Sequence, residues 1–245
     1  MTLRDYLTAA REPRYSVTFA LPLLLLYEGL SALMSGSSFE GVRNGADVLL
    51  KTVFVSLGGP MGVTVFGVLL VGVGAAFVVK DLKAKGPLQS RIFLWMLGES
   101  LLYAALLGSV VSTLTALLLH PGLSVAQGGE IAQLDLSTQL VVSLGAGLYE
   151  ELLFRVLLVG ALAWLGLKLG WGKKTSIAVA IAGSALIFSG FHYVGPLGDQ
   201  LTLASFTFRA VAGLLLSGLY VARGFGIAAW AHALYDVGLA VVVSG

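Results

Sequence analysis

Residues 138–167 read TQLVVSLGAGLYEELLFRVLLVGALAWLGL, and the reading of this stretch decides the fold. It is apolar for longer than the ~20 residues that cross the hydrocarbon of a bilayer. Its middle nevertheless holds Glu150, Glu151 and Arg155. A charge at the centre of a membrane helix costs roughly 2.5–3.5 kcal/mol on insertion scales, so such residues are paired and put to use. Six further apolar segments flank this one: Val17–Met34, Met61–Val79, Ile92–Leu119, Thr175–His192, Leu203–Ala222 and Phe225–Val243. Hydrophobic residues make up 57% and charged residues 11% of the chain. Mean hydropathy is +0.92, whereas soluble domains carry about 25% charge. The expectation is an all-α, polytopic transmembrane helical bundle of seven or eight helices. Residues 1–245 read as a single integral membrane domain, with a motif-bearing part at about 138–243.

The eighth helix is the open question. Val42–Leu57 is apolar but carries Arg43, Asp47 and Lys51. It suits a re-entrant or interfacial helix, or a span joined to the next at Gly58-Gly59-Pro60. Lysine and arginine decide between these. Arg4, Arg11 and Arg14, then Lys80, Lys83, Lys85 and Arg91, then Lys168, Lys173 and Lys174, then Arg223 fall in alternate connections of seven spans. The opposite connections hold only Arg43 and Lys51, with Glu40, Glu130, Asp135 and Asp199. An eighth full span breaks that alternation, so Val42–Leu57 is taken as non-spanning. The positive-inside bias then places the N-terminus in the cytoplasm, in a multi-pass protein of the cell (inner) membrane. The polar connection His120–Ser137 is placed to act as a lid or gate. No basic patch with interleaved aromatics exists, so nucleic acid is not an expected partner. Cysteine is absent, which excludes thiol catalysis and thiolate metal sites.

Two further clusters accompany Glu150-Glu151-x-x-x-Arg155: Phe188-Ser189-Gly190-Phe191-His192 and His232-Ala233-Leu234-Tyr235-Asp236. Residues four apart share a helix face, so Glu151 and Arg155 can pair, and so can His232 and Asp236. Glu150 lies about 100° round the helix from Glu151 and aims at a different target. Glu151 is thus a structural partner and Glu150 a candidate general base. The competing structural readings are an ion pair locking two helices, an interfacial His192, a packing Phe188 and a buried His232–Asp236 pair. Counted from the positively charged ends of their spans at ~1.5 Å per residue, Glu150 and His192 lie roughly 26 Å deep, Asp236 roughly 17 Å and His232 roughly 11 Å. The residues meet between mid-membrane and the far side, with His232 the poorest fit. Glu28, Glu99 and Arg209 also fall within spans, and Arg209–Glu99 is one expected pair.

The order E-E-x-x-x-R, F-x-x-x-H, H-x-x-x-[N/D] resembles the CAAX-protease and bacteriocin-processing family of intramembrane endopeptidases. The resemblance covers about Thr138 to Val243 and implies peptide-bond hydrolysis in an intramembrane cavity. It implies that Glu150 activates water with help from His192, and that His232 and Asp236 stabilise the oxyanion. Glu151 and Arg155 support the site. No cofactor is expected, and the partners are the lipid bilayer and a membrane protein or peptide substrate. One position departs from the pattern: the eukaryotic CAAX-processing branch usually carries Asn where this chain has Asp236. An ionised Asp lacks an N–H donor, so Asp236 is protonated, orients His232 or binds a cation. The same departure favours a substrate that is not prenylated.

Other classes remain in view. Glu150, His192, His232 and Asp236 are suitable zinc ligands by type, although H-E-x-x-H is absent. An aspartyl protease is excluded because Leu234-Tyr235-Asp236 follows Leu197-Gly198-Asp199 rather than preceding it. A serine dyad is excluded because Ser189 and His192 share one segment. Buried ionisable groups also build ion relays, but paired broken helices of the transporter kind are missing. A non-catalytic partner-binding or immunity protein of the same fold stays open.

Overall fold

The computed structural model describes residues 2–35, 42–119, 133–195 and 198–244. The described chain is helical, without strands. A short helix α1, Leu3–Ala9, opens with a capping box between Thr2 and Asp5. Then follow α2 (Pro13–Ser35), α3 (Gly45–Gly58), α4 (Gly62–Lys85) and α5 (Ser90–Leu119). The expected lid, His120–Ser137, lies outside the described residues as far as 132. Helical winding resumes as α6 (Leu136–Gly145), continues without a break through a π-wound segment, Ala146–Val159, and ends as α7 (Gly160–Lys168). Helices α8 (Lys173–Phe191), α9 (Leu203–Arg223) and α10 (Phe225–Ser244) complete the bundle.

Six helical runs are long and apolar enough to cross a membrane. A further continuous helical run, from Leu136 to Lys168, carries Glu150, Glu151 and Arg155 near its middle. Exposed apolar side chains cover the outside of α4, with Val68, Val71 and Val73 all more than half exposed. Lipid is the solvent that such a surface requires. The protein is an integral, multi-pass membrane protein.

Helix α3 is short. Its 14 residues reach about 21 Å, short of the ~30 Å hydrocarbon. A three-residue 3₁₀ turn, Gly59–Met61, folds it back on α4. Gly59 takes φ +59° there, a conformation that glycine adopts without cost. Phe54 and Phe66 meet across the hairpin at a tilt, with ring centroids 5.2 Å apart. The start of α3 sits deep: Val42 C=O accepts from Ser31 Oγ, and Asn44 N–H donates to Tyr27 Oη.

Small residues set the closest approaches, as expected where packing rather than the hydrophobic effect joins helices. A Cβ on Gly147 would lie 2.4 Å from Ala229 C=O on α10, and one on Gly226 would lie 2.3 Å from Ser16 C=O on α2. The core beneath the π segment is built from Leu23, Tyr27, Leu148, Tyr149, Ala229 and Ala233.

The α9–α10 turn packs against α1, α2 and α5. Arg223, the last residue of α9, pairs with Glu99, nine residues into α5, and also donates to Leu7 C=O. This corrects the expected Arg209–Glu99 pair: Arg209 pairs with Asp199 instead.

Candidate active site

The π-wound segment carries the first cluster. Asp135 caps its lead-in helix by accepting from Thr138 N–H. Hydrogen bonds from Ser137 and Thr138 hold the Asp135 carboxyl down at about 2. Winding then widens from Ala146 onward. π turns are rare and frequently mark functional sites. Ser184 on α8 donates to Phe154 C=O, so the widened segment is tied directly to its neighbour. Spacing alone describes an ordinary α-helix here, because nothing in residues 146–159 forbids one.

Adjacent carboxylates address different helices. Glu150 is buried and accepts from Asn44 Nδ2 through Oε1 at 2.9 Å. Its Oε2 faces His192 Nε2 at 4.0 Å. Among the described residues that Oε2 has no hydrogen-bond partner. His192 caps the C-terminus of α8, with its side chain partly open. Its Nδ1 lies 2.8 Å from Phe188 C=O. A carbonyl only accepts, so Nδ1 carries the proton, and Nε2 of the neutral ring is an acceptor aimed at Glu150.

Glu151 is fully buried and turns the other way. Its Oε1 lies 2.7 Å from His232 Nδ1 and 3.2 Å from Arg155 Nη1. On the far side of the same imidazole, Nε2 lies 3.4 Å from Asp236 Oδ2. His232 is thus flanked by a carboxylate at each ring nitrogen. Arg155 has no solvent exposure. Its guanidinium lies 4.3 Å over the Phe188 ring. Phe188 also meets His192 edge-on at 4.7 Å and His232 at 6.2 Å between centroids. Expected only to pack, Phe188 is the plate on which the three motifs converge.

All six residues singled out from sequence therefore fall in one neighbourhood, linked as Asn44–Glu150–His192 on one side and Arg155–Glu151–His232–Asp236 on the other. Asn44 was missed. Its only signal was its place before Gly45-Ala46 at the start of a short helix. A second polar cluster was also missed: Asp47 at the start of α3 pairs with Arg43 and Lys51, which also bind Glu28 on α2. Tyr149 Oη donates to Glu28 at 2.6 Å. This cluster borders a lateral cavity of about 800 Å³ between α2, α3 and α4, walled by Leu24, Val48, Val55, Phe66 and Leu70 and reaching Tyr149.

Among the described residues, no group of three or more His, Asp or Glu side chains is arranged to hold a metal ion. The arrangement does offer two facing proton acceptors, Glu150 Oε2 and His192 Nε2, and a flanked imidazole beside them. Residues 132–238 match the Rce1-like family model, described as type II CAAX prenyl endopeptidase Rce1-like. The matched stretch contains all three motifs, and over it the resemblance read from them is shown. No curated protein and no solved structure matches the chain.

Proposed function

We propose that this protein is an intramembrane endopeptidase in which Glu150 and His192 activate water. The observation that carries the reading is the 4.0 Å gap between Glu150 Oε2, which lacks a partner among the described residues, and His192 Nε2. That gap is too long for a direct hydrogen bond. A water ~2.8 Å from both atoms fits it with an angle of about 90° at its oxygen. It donates one proton to each acceptor and keeps its lone pairs for attack.

In this mechanism the water's proton passes to Glu150 as its oxygen bonds to the scissile carbonyl carbon. The carbonyl becomes a tetrahedral oxyanion. His232, oriented by Glu151 at Nδ1, offers Nε2–H in its charged form to that oxyanion. Asp236 faces the same nitrogen and orients it instead of donating. Glu150 then returns the proton to the leaving amine, and the C–N bond breaks. Arg155 neutralises Glu151 and braces the ring plane through Phe188.

The substrate in this reading is a membrane-embedded or lipid-anchored protein or peptide. Exposed backbone in lipid leaves hydrogen bonds unmade, so weakly helical or terminal segments are favoured. The lateral cavity supplies an apolar wall beside Tyr149 for such a segment. Asp236 favours an unprenylated one. The N-terminus is assigned to the cytoplasm, where Arg14 donates to the Lys85 and Gly86 carbonyls and the basic ends of α2 and α4 gather.

The test is cleavage by purified protein of a prenylated tail peptide, its unprenylated form and a helix-destabilised transmembrane peptide. Glu150→Gln is expected to abolish turnover with the fold retained, and undiminished cleavage by that variant overturns the mechanism. Activity is expected to survive chelation. Inhibition by o-phenanthroline that stoichiometric zinc reverses favours the metalloprotease instead. Cleavage of the prenylated tail alone refutes the substrate preference.

A further inference from the structure

One side chain enters the site from outside all three motifs. Asn44 is buried at the deep end of α3, and its Nδ2 donates to Glu150 Oε1. Its Oδ1 accepts from Ala46 N–H at 2.8 Å. That second bond is the N-cap of α3, and it settles which way the amide faces. With the oxygen engaged by the helix, only the NH2 group can point at Glu150.

The residue is held on its other sides as well. Its backbone N–H donates to Tyr27 Oη at 3.0 Å, and the same hydroxyl donates to Asp47 Oδ2 at 2.8 Å. A Cβ on Gly145 would come within 2.6 Å of the Asn44 Cβ, so the Leu136–Lys168 rod presses directly against it. Side chains locked by packing and by their own hydrogen bonds hold a neighbour to narrow limits.

We infer that Asn44 is a positioning residue for Glu150: by holding Oε1 it turns Oε2 toward His192. The short helix α3, closed against α4, is the frame that keeps the amide in place. The inference rests on Glu150 acting as the base.

Capping and positioning separate cleanly by substitution. Asp caps a helix as well as Asn does. Asn44→Asp therefore keeps α3 but replaces the donor with a carboxylate facing Glu150. Asn44→Ala removes both functions. A purely structural Asn44 predicts a wild-type Asp variant and a weakened Ala variant. Positioning predicts that both lose turnover on the peptides named above, on the order of 10²-fold in kcat with KM little changed.

A second measurement needs no substrate. The carboxylate stretch of Glu150 is assigned in the infrared as the band lost in Glu150→Gln. It is expected to shift in Asn44→Asp and Asn44→Ala, while amide hydrogen exchange in α3 stays protected in the Asp variant. A wild-type band and wild-type kcat in Asn44→Asp overturn the inference. An active Glu150→Gln variant overturns the base assignment instead, and the infrared band then reports by itself whether Asn44 holds Glu150.

Discussion

Replacing Arg155 with Ala is expected to destabilise the fold by about 3 kcal/mol, the low end of the range for a broken buried ion pair. At the observed 3.2 Å from Glu151, attraction with an effective dielectric constant near 20 amounts to about 5 kcal/mol. The guanidinium over Phe188 adds about 0.5–2 kcal/mol. Two observations work against these terms. Glu151 also has His232 at 2.7 Å, a partner that the substitution does not remove. None of the three guanidinium nitrogens has a geometrically aligned hydrogen bond among the described residues, so deletion also removes an imperfectly satisfied group. The assay is unfolding by SDS titration in mixed micelles, followed through the four tryptophans. Arg155→Lys keeps the charge but not the planar stack, and is expected to fall between Ala and wild type. Glu151→Gln combined with Arg155→Met removes both charges, and is expected to recover most of the loss. An Arg155→Ala protein as stable as wild type, or a double variant no better than the single one, refutes the reasoning.

Two other substitutions probe the packing and the oxyanion side. Gly147→Ala forces a Cβ to within 2.4 Å of Ala229 C=O and is expected to cost about 1–3 kcal/mol by overpacking. Gly98→Ala, with open space around it, leaves stability unchanged or slightly raised in the same SDS titration, and equal losses in the two variants would count against the close α10 contact. Asp236→Ala is expected to lower the initial rate of peptide cleavage by about 10²-fold. Asp236→Asn is expected to recover most of it, because the carboxamide oxygen still faces His232 Nε2 and its NH2 adds a donor. A fully active Ala variant removes Asp236 from the site.

Local chemistry made much of this molecule readable. Apolar runs longer than a bilayer require helices, because lipid offers the backbone no other partner. The pairing of Glu151 with Arg155 follows from i,i+4 spacing and survives the change from α to π winding. His232 and Asp236 likewise share a face by spacing. Charge alternation favours seven crossings and with them a non-spanning Val42–Leu57, which remains a reading of the sequence. What local pattern could not supply is how helices stand against one another. The start of α10 is fixed against its neighbours by Arg223 reaching Glu99 on another helix. The choice of Asp199 over Glu99 as the partner of Arg209 depends on the same offsets. Asn44 reads as an ordinary helix cap until tertiary packing brings the deep end of α3 against the middle of the Leu136–Lys168 rod. Spacing along one helix constrains faces. Contact between helices depends on tilt, depth and the small residues that let backbones meet, and only the assembled bundle decides those.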